Sequence, residues 1–161
     1  MPVIMGGSPG KDFMNMNKAL LAIVLGVASV TFTGCDNNEV VDELPPAVFN
    51  DIFIDLSLPQ YQDLSRNGGF EYLSAGLRGI IVYRENASTY HAIEQNCTFL
   101  PFEAGSTVDV DNGIRLRDPS CGSVFTLPGG LPIGGPAVVP LRKYRVDFDG
   151  TRLIISDEVI N

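Results

Sequence analysis

Histidine and positive charge are both scarce in this sequence. His91 is the only histidine among 161 residues, so a single chain has no centre that needs two imidazoles. A Ser-His-Asp or Cys-His catalytic set would have to use His91, which lies in a strand-like segment, and we expect the chain not to be an enzyme. Lysine and arginine number 11 against 19 acidic residues, which gives a net charge of −8. Such a chain repels phosphate backbones, so we expect no nucleic-acid partner.

The apolar segment near the N terminus is short. Residues 19–32 follow Lys18, carry no charge and number 14, too few to cross a bilayer as a helix. A positive charge followed by an apolar run of this length is typical of a secretory signal peptide. The run ends in residues 32–35 (Phe-Thr-Gly-Cys), where a small residue directly precedes a cysteine, as in the lipobox cleaved by lipoprotein signal peptidase. A buried helix with a free cysteine is the alternative interpretation.

The cleavage pattern divides the chain into three parts. We expect residues 1–34 to be a signal peptide, with translation starting at Met14 or Met16 rather than at the first residue. Cys35 is expected to carry the lipid, and residues 35–47 form an acidic, proline-ended tether that cannot build a core. The mature protein is then expected in the cell envelope, anchored to the outer or inner membrane and facing the periplasm or the cell exterior.

With Cys35 lipidated, Cys97 and Cys121 remain as an even pair in an oxidising compartment. The simplest prediction is a disulfide between them. It would close a loop of about 24 residues and contribute roughly 3 to 4 kcal/mol on the chain-entropy estimate. Two buried thiols are the alternative.

Hydrophobic residues alternate with a period of two over most of residues 48–161, and no segment there has helical periodicity over ten residues. Short β-branched runs separated by turn signals every 8–12 residues predict an all-β fold, an antiparallel sandwich or barrel. The Asn112-Gly113 pair predicts the sharpest hairpin. The predicted strands are residues 52–58, 77–84, 89–94, 107–111, 114–117, 124–127, 138–148 and 151–156. Three segments read as loops: 95–105, 118–123 and 128–136.

Several stretches between Tyr90 and Ser156 resemble a Rieske iron–sulfur domain. Residues 90–93 (Tyr-His-Ala-Ile) followed by Cys97 resemble the strand that leads into the first ligand loop. Residues 121–125 (Cys-Gly-Ser-Val-Phe) resemble the family's His-Gly-Ser-x-Phe. Residues 134–141 (Gly-Gly-Pro-Ala-Val-Val-Pro-Leu) resemble the segment that shields the cluster. The resemblance implies a Rieske-like all-β domain over residues 48–161 with two facing loops.

The same resemblance implies a degenerate set of ligands. The family holds a [2Fe–2S] cluster with Cys-x-His in one loop and Cys-x-x-His in the next. Cys97 matches the first thiolate, but Phe99 stands where the first imidazole belongs. In the second loop Asp118 stands at the thiolate position and Cys121 at the imidazole position. We therefore expect no cofactor, with a Cys97–Cys121 disulfide joining the two loops in place of the cluster; a functioning [2Fe–2S] electron carrier is the alternative.

Two further interpretations concern partners and ligands. The three loops at residues 97–103, 118–123 and 128–136 form the expected surface for a protein partner, because intact relatives dock there. An unrelated glycan-binding β-sandwich is a second alternative. A mixed-ligand metal centre built from His91, Cys97, Asp118 and Cys121 is conceivable chemically, but His91 lies on a strand six residues before Cys97 and is expected to be a half-exposed strand residue.

Overall fold

The computed structural model describes residues 43–161. The predicted signal peptide, Cys35 and tether residues 35–42 lie outside the described residues. No helix within residues 43–161 combines the length and the hydropathy that a membrane crossing requires.

The described chain is built from strands, with one short 3-10 helix after the first of them. In chain order the elements are β1 (Ile52–Asp55), the 3-10 helix (Pro59–Ser65), β2 (Phe70–Leu73), β3 (Ile80–Arg84), β4 (Tyr90–Glu94), β5 (Asp109–Asp111), β6 (Arg115–Arg117), β7 (Val124–Thr126), β8 (Pro132–Gly134), β9 (Lys143–Phe148) and β10 (Arg152–Val159). Six strands form one sheet in the order β1-β10-β9-β4-β3-β2, and four form a second in the order β5-β6-β7-β8. Neighbouring strands are antiparallel throughout. The all-β fold class expected from the sequence is confirmed.

The Asn112-Gly113 turn joins β5 to β6 as predicted. Both residues have a positive φ, 53° for Asn112 and 69° for Gly113. Two successive left-handed residues match the right-handed twist of the strands they connect, which is why this pair favours a two-residue hairpin. The predicted hairpin between β3 and β4 is also present, with Arg84 opposite Tyr90.

Three strand predictions were too long by three residues or more, and one of these, over residues 77–84, begins only at Ile80. The strand predicted over residues 52–58 ends at Asp55, because the Asp55 carboxylate accepts hydrogen bonds from the backbone and hydroxyl of Ser57 and turns the chain. The strand predicted over residues 138–148 begins only at Lys143. Pro140 has no backbone N–H to donate to a neighbouring strand. The Val139 carbonyl accepts a hydrogen bond from the Thr98 hydroxyl and not from a strand backbone.

Two strands were not predicted. β2 has two aromatic residues that favour a strand, but it is only four residues long, so its period-two pattern is too short to identify it. β8 lies inside residues 128–136, which the sequence indicated to be a loop because of their glycine and proline content. Proline is tolerated there because β8 is an edge strand of the smaller sheet, where one side of the backbone needs no ladder partner.

The buried residues form two apolar cores. The first lies against the six-stranded sheet and includes Ile54, Leu64, Val82, Tyr144 and Leu153. The second lies between the two sheets, where Ile81 and Ile93 of the large sheet meet Leu116 and Phe125 of the small one. Cys97 belongs to this second core and is fully buried, so the packing of the sheets determines where its sulfur lies.

Candidate functional site

The first loop, residues 97–103, is held by hydrogen bonds from the segment before β3. The Arg78 guanidinium donates to the Asn96 side chain and to the carbonyls of Pro101 and Glu103, at 3.4 and 2.8 Å for the two carbonyls. The Asn96 amide donates in turn to the carbonyls of Cys97 and Pro101, at 3.0 and 3.1 Å. This bonding fixes the backbone on both sides of the Cys97 sulfur.

The second loop, residues 118–123, is organised by Asp118. Its Oδ1 atom accepts hydrogen bonds from the backbone and hydroxyl of Ser120, at 2.7 and 2.6 Å, and from the Cys121 backbone at 3.3 Å. Its backbone N–H donates to the Ser123 carbonyl at 2.9 Å, and its carbonyl accepts from Gly122. A carboxylate that accepts hydrogen bonds from the backbone N–H groups of the residues two and three positions later stabilises a turn. Asp118 therefore has a structural role in this chain.

The third segment, residues 128–136, packs directly on the second loop. A β-carbon placed on Gly135 would lie 2.5 Å from the Cα atom of Ser123 and 2.7 Å from the Gly122 carbonyl oxygen. Gly135 also has a φ of 81°, a conformation that other residues rarely adopt. Only glycine allows this approach, and the Ser123 hydroxyl secures it by accepting a hydrogen bond from the Ala137 backbone at 3.1 Å. The three segments 97–103, 118–123 and 128–136 together are called the tip below.

Three potential ligand atoms meet at the centre of the tip. The Sγ atoms of Cys97 and Cys121 lie 4.0 Å apart, and one carboxylate oxygen of Asp118 lies within 4.8 Å of both. The structure contains the two cysteines as free thiols. The sequence therefore predicted correctly that these loops face each other, while the disulfide bond itself stays a prediction.

The two thiols have different surroundings. Cys97 is fully buried, and this burial raises the pKa of its thiol to about 12, so at neutral pH it is protonated. Cys121 is partly exposed. Its Sγ donates to the Ser123 hydroxyl at 3.0 Å and accepts from the Ser123 backbone N–H at 3.4 Å. An external oxidant or metal ion therefore reaches the pair from the Cys121 side.

The Asp118 carboxylate is ionised although its residue is completely buried from solvent. Burial raises its pKa, but hydrogen bonds from Ser120 and the neighbouring Cys97 and Cys121 thiols outweigh that effect and lower the pKa below its ordinary value. The bonds of normal geometry converge on Oδ1. Among the described residues, Oδ2 receives no hydrogen bond of normal geometry.

The other two predicted site residues behave differently. Phe99 is partly buried and packs against the second core, so at the position of the family's first imidazole it offers a hydrocarbon ring to the apolar interior. His91 pairs with Tyr83 in the β3–β4 ladder, and its Nε2 lies 2.8 Å from a carboxylate oxygen of Glu85. It is a partly exposed strand residue, as expected, and it is not among the ligand atoms that meet at the tip.

The [2Fe–2S] group implied by the resemblance does not fit this set of side chains. A Rieske centre needs two thiolates on one iron and two imidazoles on the other. The tip offers two sulfurs and a carboxylate, with an aromatic ring at one imidazole position and no histidine in the group. The iron that imidazoles hold in the family therefore has no nitrogen ligand here.

Glu94 is the important residue that sequence reasoning missed. It ends β4, is completely buried, and accepts four hydrogen bonds in the range 2.7–3.1 Å. The donors are the backbones of Leu77, Arg78 and Asn96 and the Tyr144 hydroxyl. Burial, together with the adjacent Glu94 carboxylate, raises the Tyr144 pKa above its ordinary value, so the phenol remains a donor. The only signal in the sequence was an acidic residue at the core-facing end of an apolar strand.

Comparison with known proteins yields structural likeness alone. No protein-family model and no curated protein matches the chain. A chain from the complex of reduced oxygenase and oxidized ferredoxin in carbazole 1,9a-dioxygenase is 23% identical, with a TM-score of 0.48, and the match covers 70% of this chain and 99% of that one. The ferredoxin of carbazole 1,9a-dioxygenase from Nocardioides aromaticivorans IC177 is 20% identical, with a TM-score of 0.43, covering 58% and 88%. A likeness of this degree concerns architecture and says nothing about what this chain binds.

The structure shows the loop arrangement that the sequence motifs implied, within an all-β domain. The two loops that resemble the family's ligand loops face each other, and the glycine-rich segment packs against the second of them. An arrangement of loops does not determine the chemistry of a site, which depends on the side chains that the loops present.

Proposed function

We propose that this chain is a lipid-anchored protein of the cell envelope whose Rieske-like domain carries no cluster and serves as a non-catalytic, partner-binding module. Cys35 holds the anchor, and a Cys97–Cys121 disulfide joins the first two tip loops. The proposal that the domain transfers no electrons is supported by one observation. Two sulfurs and a carboxylate meet at the tip, whereas the single histidine of the chain contacts Glu85 outside the tip.

The proposal of a protein partner is supported by the surface of the tip. Four large apolar side chains on its first and third segments are more than half exposed: Leu100, Phe102, Leu131 and Ile133. Within these three described segments the exposed charge is Glu103 alone, because Asp118 is buried. An apolar, nearly uncharged face on an acidic protein is typical of a protein-binding surface.

Iron analysis tests the cluster-free reading. We expect the purified chain to hold no iron or acid-labile sulfide above background, even after anaerobic reconstitution, because the imidazole ligands are missing. The triple variant Phe99→His, Asp118→Cys, Cys121→His restores Cys-x-His and Cys-x-x-His and is expected to gain iron and a visible absorption spectrum under the same treatment. Two irons per chain in the unaltered protein, with a Rieske-type magnetic resonance signal, would overturn the proposal.

Site-specific photo-crosslinking in whole cells tests the partner surface. A photoreactive phenylalanine analogue at position 102 is expected to give discrete adducts with an envelope protein. The matched control is position 53, because Phe53 is 66% exposed and Phe102 is 64% exposed. Phe53 lies on β1 and belongs to none of the three tip segments. Adducts at both positions or at neither would contradict a partner site at the tip.

The anchor is tested by Cys35→Ser. Lipid attachment requires the cysteine sulfur, so this variant is expected to lose incorporation of labelled fatty acid and to move from the detergent phase to the aqueous phase on detergent partitioning. Cys121→Ser is the matched cysteine control and is expected to stay in the detergent phase. Unchanged labelling of Cys35→Ser would exclude this residue as the lipid site.

The glycan-binding alternative is not favoured. It would be supported by a β-sandwich without two facing loops, and the structure has those loops with their sulfurs 4.0 Å apart.

A further inference from the structure

Asp118 poses a chemical problem that the disulfide does not solve. The residue is completely buried, and its Oδ2 atom has no hydrogen-bond partner among the described residues. A buried carboxylate oxygen without a partner is costly, and native structures rarely keep one without a reason. A Cys97–Cys121 disulfide contains no hydrogen-bond donor, so it would remove the two thiols that face this carboxylate and supply nothing to Oδ2. A cation placed between the three ligand atoms would satisfy it.

The distances between the ligand atoms suit a single tetrahedral metal ion. With zinc–sulfur bonds of about 2.3 Å, two sulfurs on one zinc lie about 3.8 Å apart at the tetrahedral angle. The observed separation of the Cys97 and Cys121 sulfurs is 4.0 Å, and the Asp118 oxygen lies within 4.8 Å of both. A contraction of about 0.2 Å brings the two sulfurs to this separation, and a movement of the Asp118 side chain toward them brings its oxygen to bonding distance of the same centre.

The residues around the three ligands provide the outer support that metal sites have. Ser120 and Cys121 donate three hydrogen bonds to Asp118 Oδ1, which fixes the carboxylate and leaves Oδ2 free. The Ser123 backbone N–H donates to the Cys121 sulfur, as it would to a thiolate. Partial exposure of Cys121 leaves an entry path and a place for a water as the fourth ligand.

We propose that, when Cys97 and Cys121 are reduced, the tip binds one Zn²⁺ ion through the two sulfurs and Asp118 Oδ2. Two thiolates select a soft or borderline metal over Mg²⁺ or Ca²⁺, and a carboxylate as the third ligand favours Zn²⁺ over Cu⁺. The inference rests on the proposed function in one respect, namely that no iron–sulfur cluster occupies the tip. The metal-bound dithiol and the disulfide are alternative states in which the same two loops are joined.

Titration with Co²⁺ and then Zn²⁺ tests the site in the full-length chain, reduced with a phosphine and freed of metal. We expect Co²⁺ to produce thiolate charge-transfer absorption and tetrahedral ligand-field bands at one ion per chain, and Zn²⁺ to abolish them by displacement. Thiol titration confirms reduction before metal is added. Fully reduced protein that gives no such spectrum overturns the proposal.

The variant Asp118→Asn distinguishes two roles of Asp118, as a metal ligand and as the residue that shapes the turn. The asparagine oxygen can still accept the Ser120 and Cys121 hydrogen bonds, so the loop keeps its shape while the free anionic oxygen is lost. We expect the variant to weaken Zn²⁺ binding by about 100-fold or more while its circular dichroism spectrum stays unchanged. Equal affinity in the variant and the unaltered chain would overturn the role of Asp118.

Asp149→Asn is the matched control. Asp149 Oδ1 accepts the same kind of bonds, from the backbone and hydroxyl of Thr151 and the backbone of Arg152, but Asp149 is exposed and lies in the β9–β10 turn. Its affinity for Zn²⁺ should equal that of the unaltered chain, as should that of Cys35→Ser. Loss of binding in either control would locate the metal elsewhere and overturn the site.

The two proposals fail in different ways. Iron and sulfide in the protein as purified would overturn the cluster-free function before any metal is added. A reduced, iron-free chain without a Co²⁺ spectrum would overturn the zinc site and leave the cluster-free function standing.

Discussion

Replacing Glu94 with alanine is expected to lower the free energy of unfolding by about 4 kcal/mol. The substitution removes both acceptor atoms from four donors, three backbone N–H groups and the Tyr144 hydroxyl, in a place that water does not reach. Each abandoned buried donor costs roughly 1–3 kcal/mol, and the missing side chain leaves a cavity as well. Denaturant unfolding followed by far-ultraviolet circular dichroism measures the change.

Two comparisons isolate the cause of that loss. Glu94→Gln keeps the side-chain volume but turns an NH₂ group toward two donors. We therefore expect it to lower the free energy of unfolding, but by less than Glu94→Ala does. Glu85→Ala removes an exposed carboxylate from the same hairpin and should change stability by less than about 1 kcal/mol, because its hydrogen bond with His91 is partly solvated. A loss of less than about 1 kcal/mol for Glu94→Ala would show that the network does not hold the fold.

Reduction of the protein as isolated from the envelope is expected to cost about 3 kcal/mol of stability. The predicted Cys97–Cys121 bond closes a loop of roughly 24 residues, and opening it restores the freedom of that loop in the unfolded chain. The sulfurs already lie 4.0 Å apart, so forming the bond requires a small movement of the two loops. Denaturant unfolding with and without a phosphine reductant measures the difference.

The matched control for reduction is the double variant Cys97→Ala, Cys121→Ala. Its unfolding should not respond to the reductant, and its stability should be close to that of the reduced chain. Thiol titration in denaturant without reductant should find no free cysteine in the lipidated protein. Two free thiols in that sample would refute the disulfide, and with it the expected response to reduction.

Much of this fold follows from local sequence patterns. The Asn112-Gly113 hairpin was predictable because two successive left-handed residues favour that turn, and the β3–β4 pairing followed from the turn residues 85–88 between two predicted strands. The convergence of Cys97 and Cys121 followed from the family resemblance rather than from periodicity. These predictions succeeded where one or two residues determine the backbone.

The predictions that failed depend on contacts between distant segments. β8 was read as a loop because glycine and proline are poor strand formers, but its pairing with β7 is set by the close approach at Gly135. The role of Glu94 depends on donors 16 and 17 residues earlier and 50 residues later in the chain. The orientation of Asp118, with one oxygen saturated and the other free, is likewise visible only in three dimensions.

The absence of a side chain at Gly135 puts the third tip segment in direct contact with the second loop. Because its backbone rests on Ser123 without room for a methyl group, a shift of the second loop toward Gly135 must displace the third segment. Ile133, two residues earlier and 60% exposed, would feel that displacement. A movement of Cys121 and its loop in that direction would therefore alter the exposed apolar surface of the third segment, although Cys121 is not part of it.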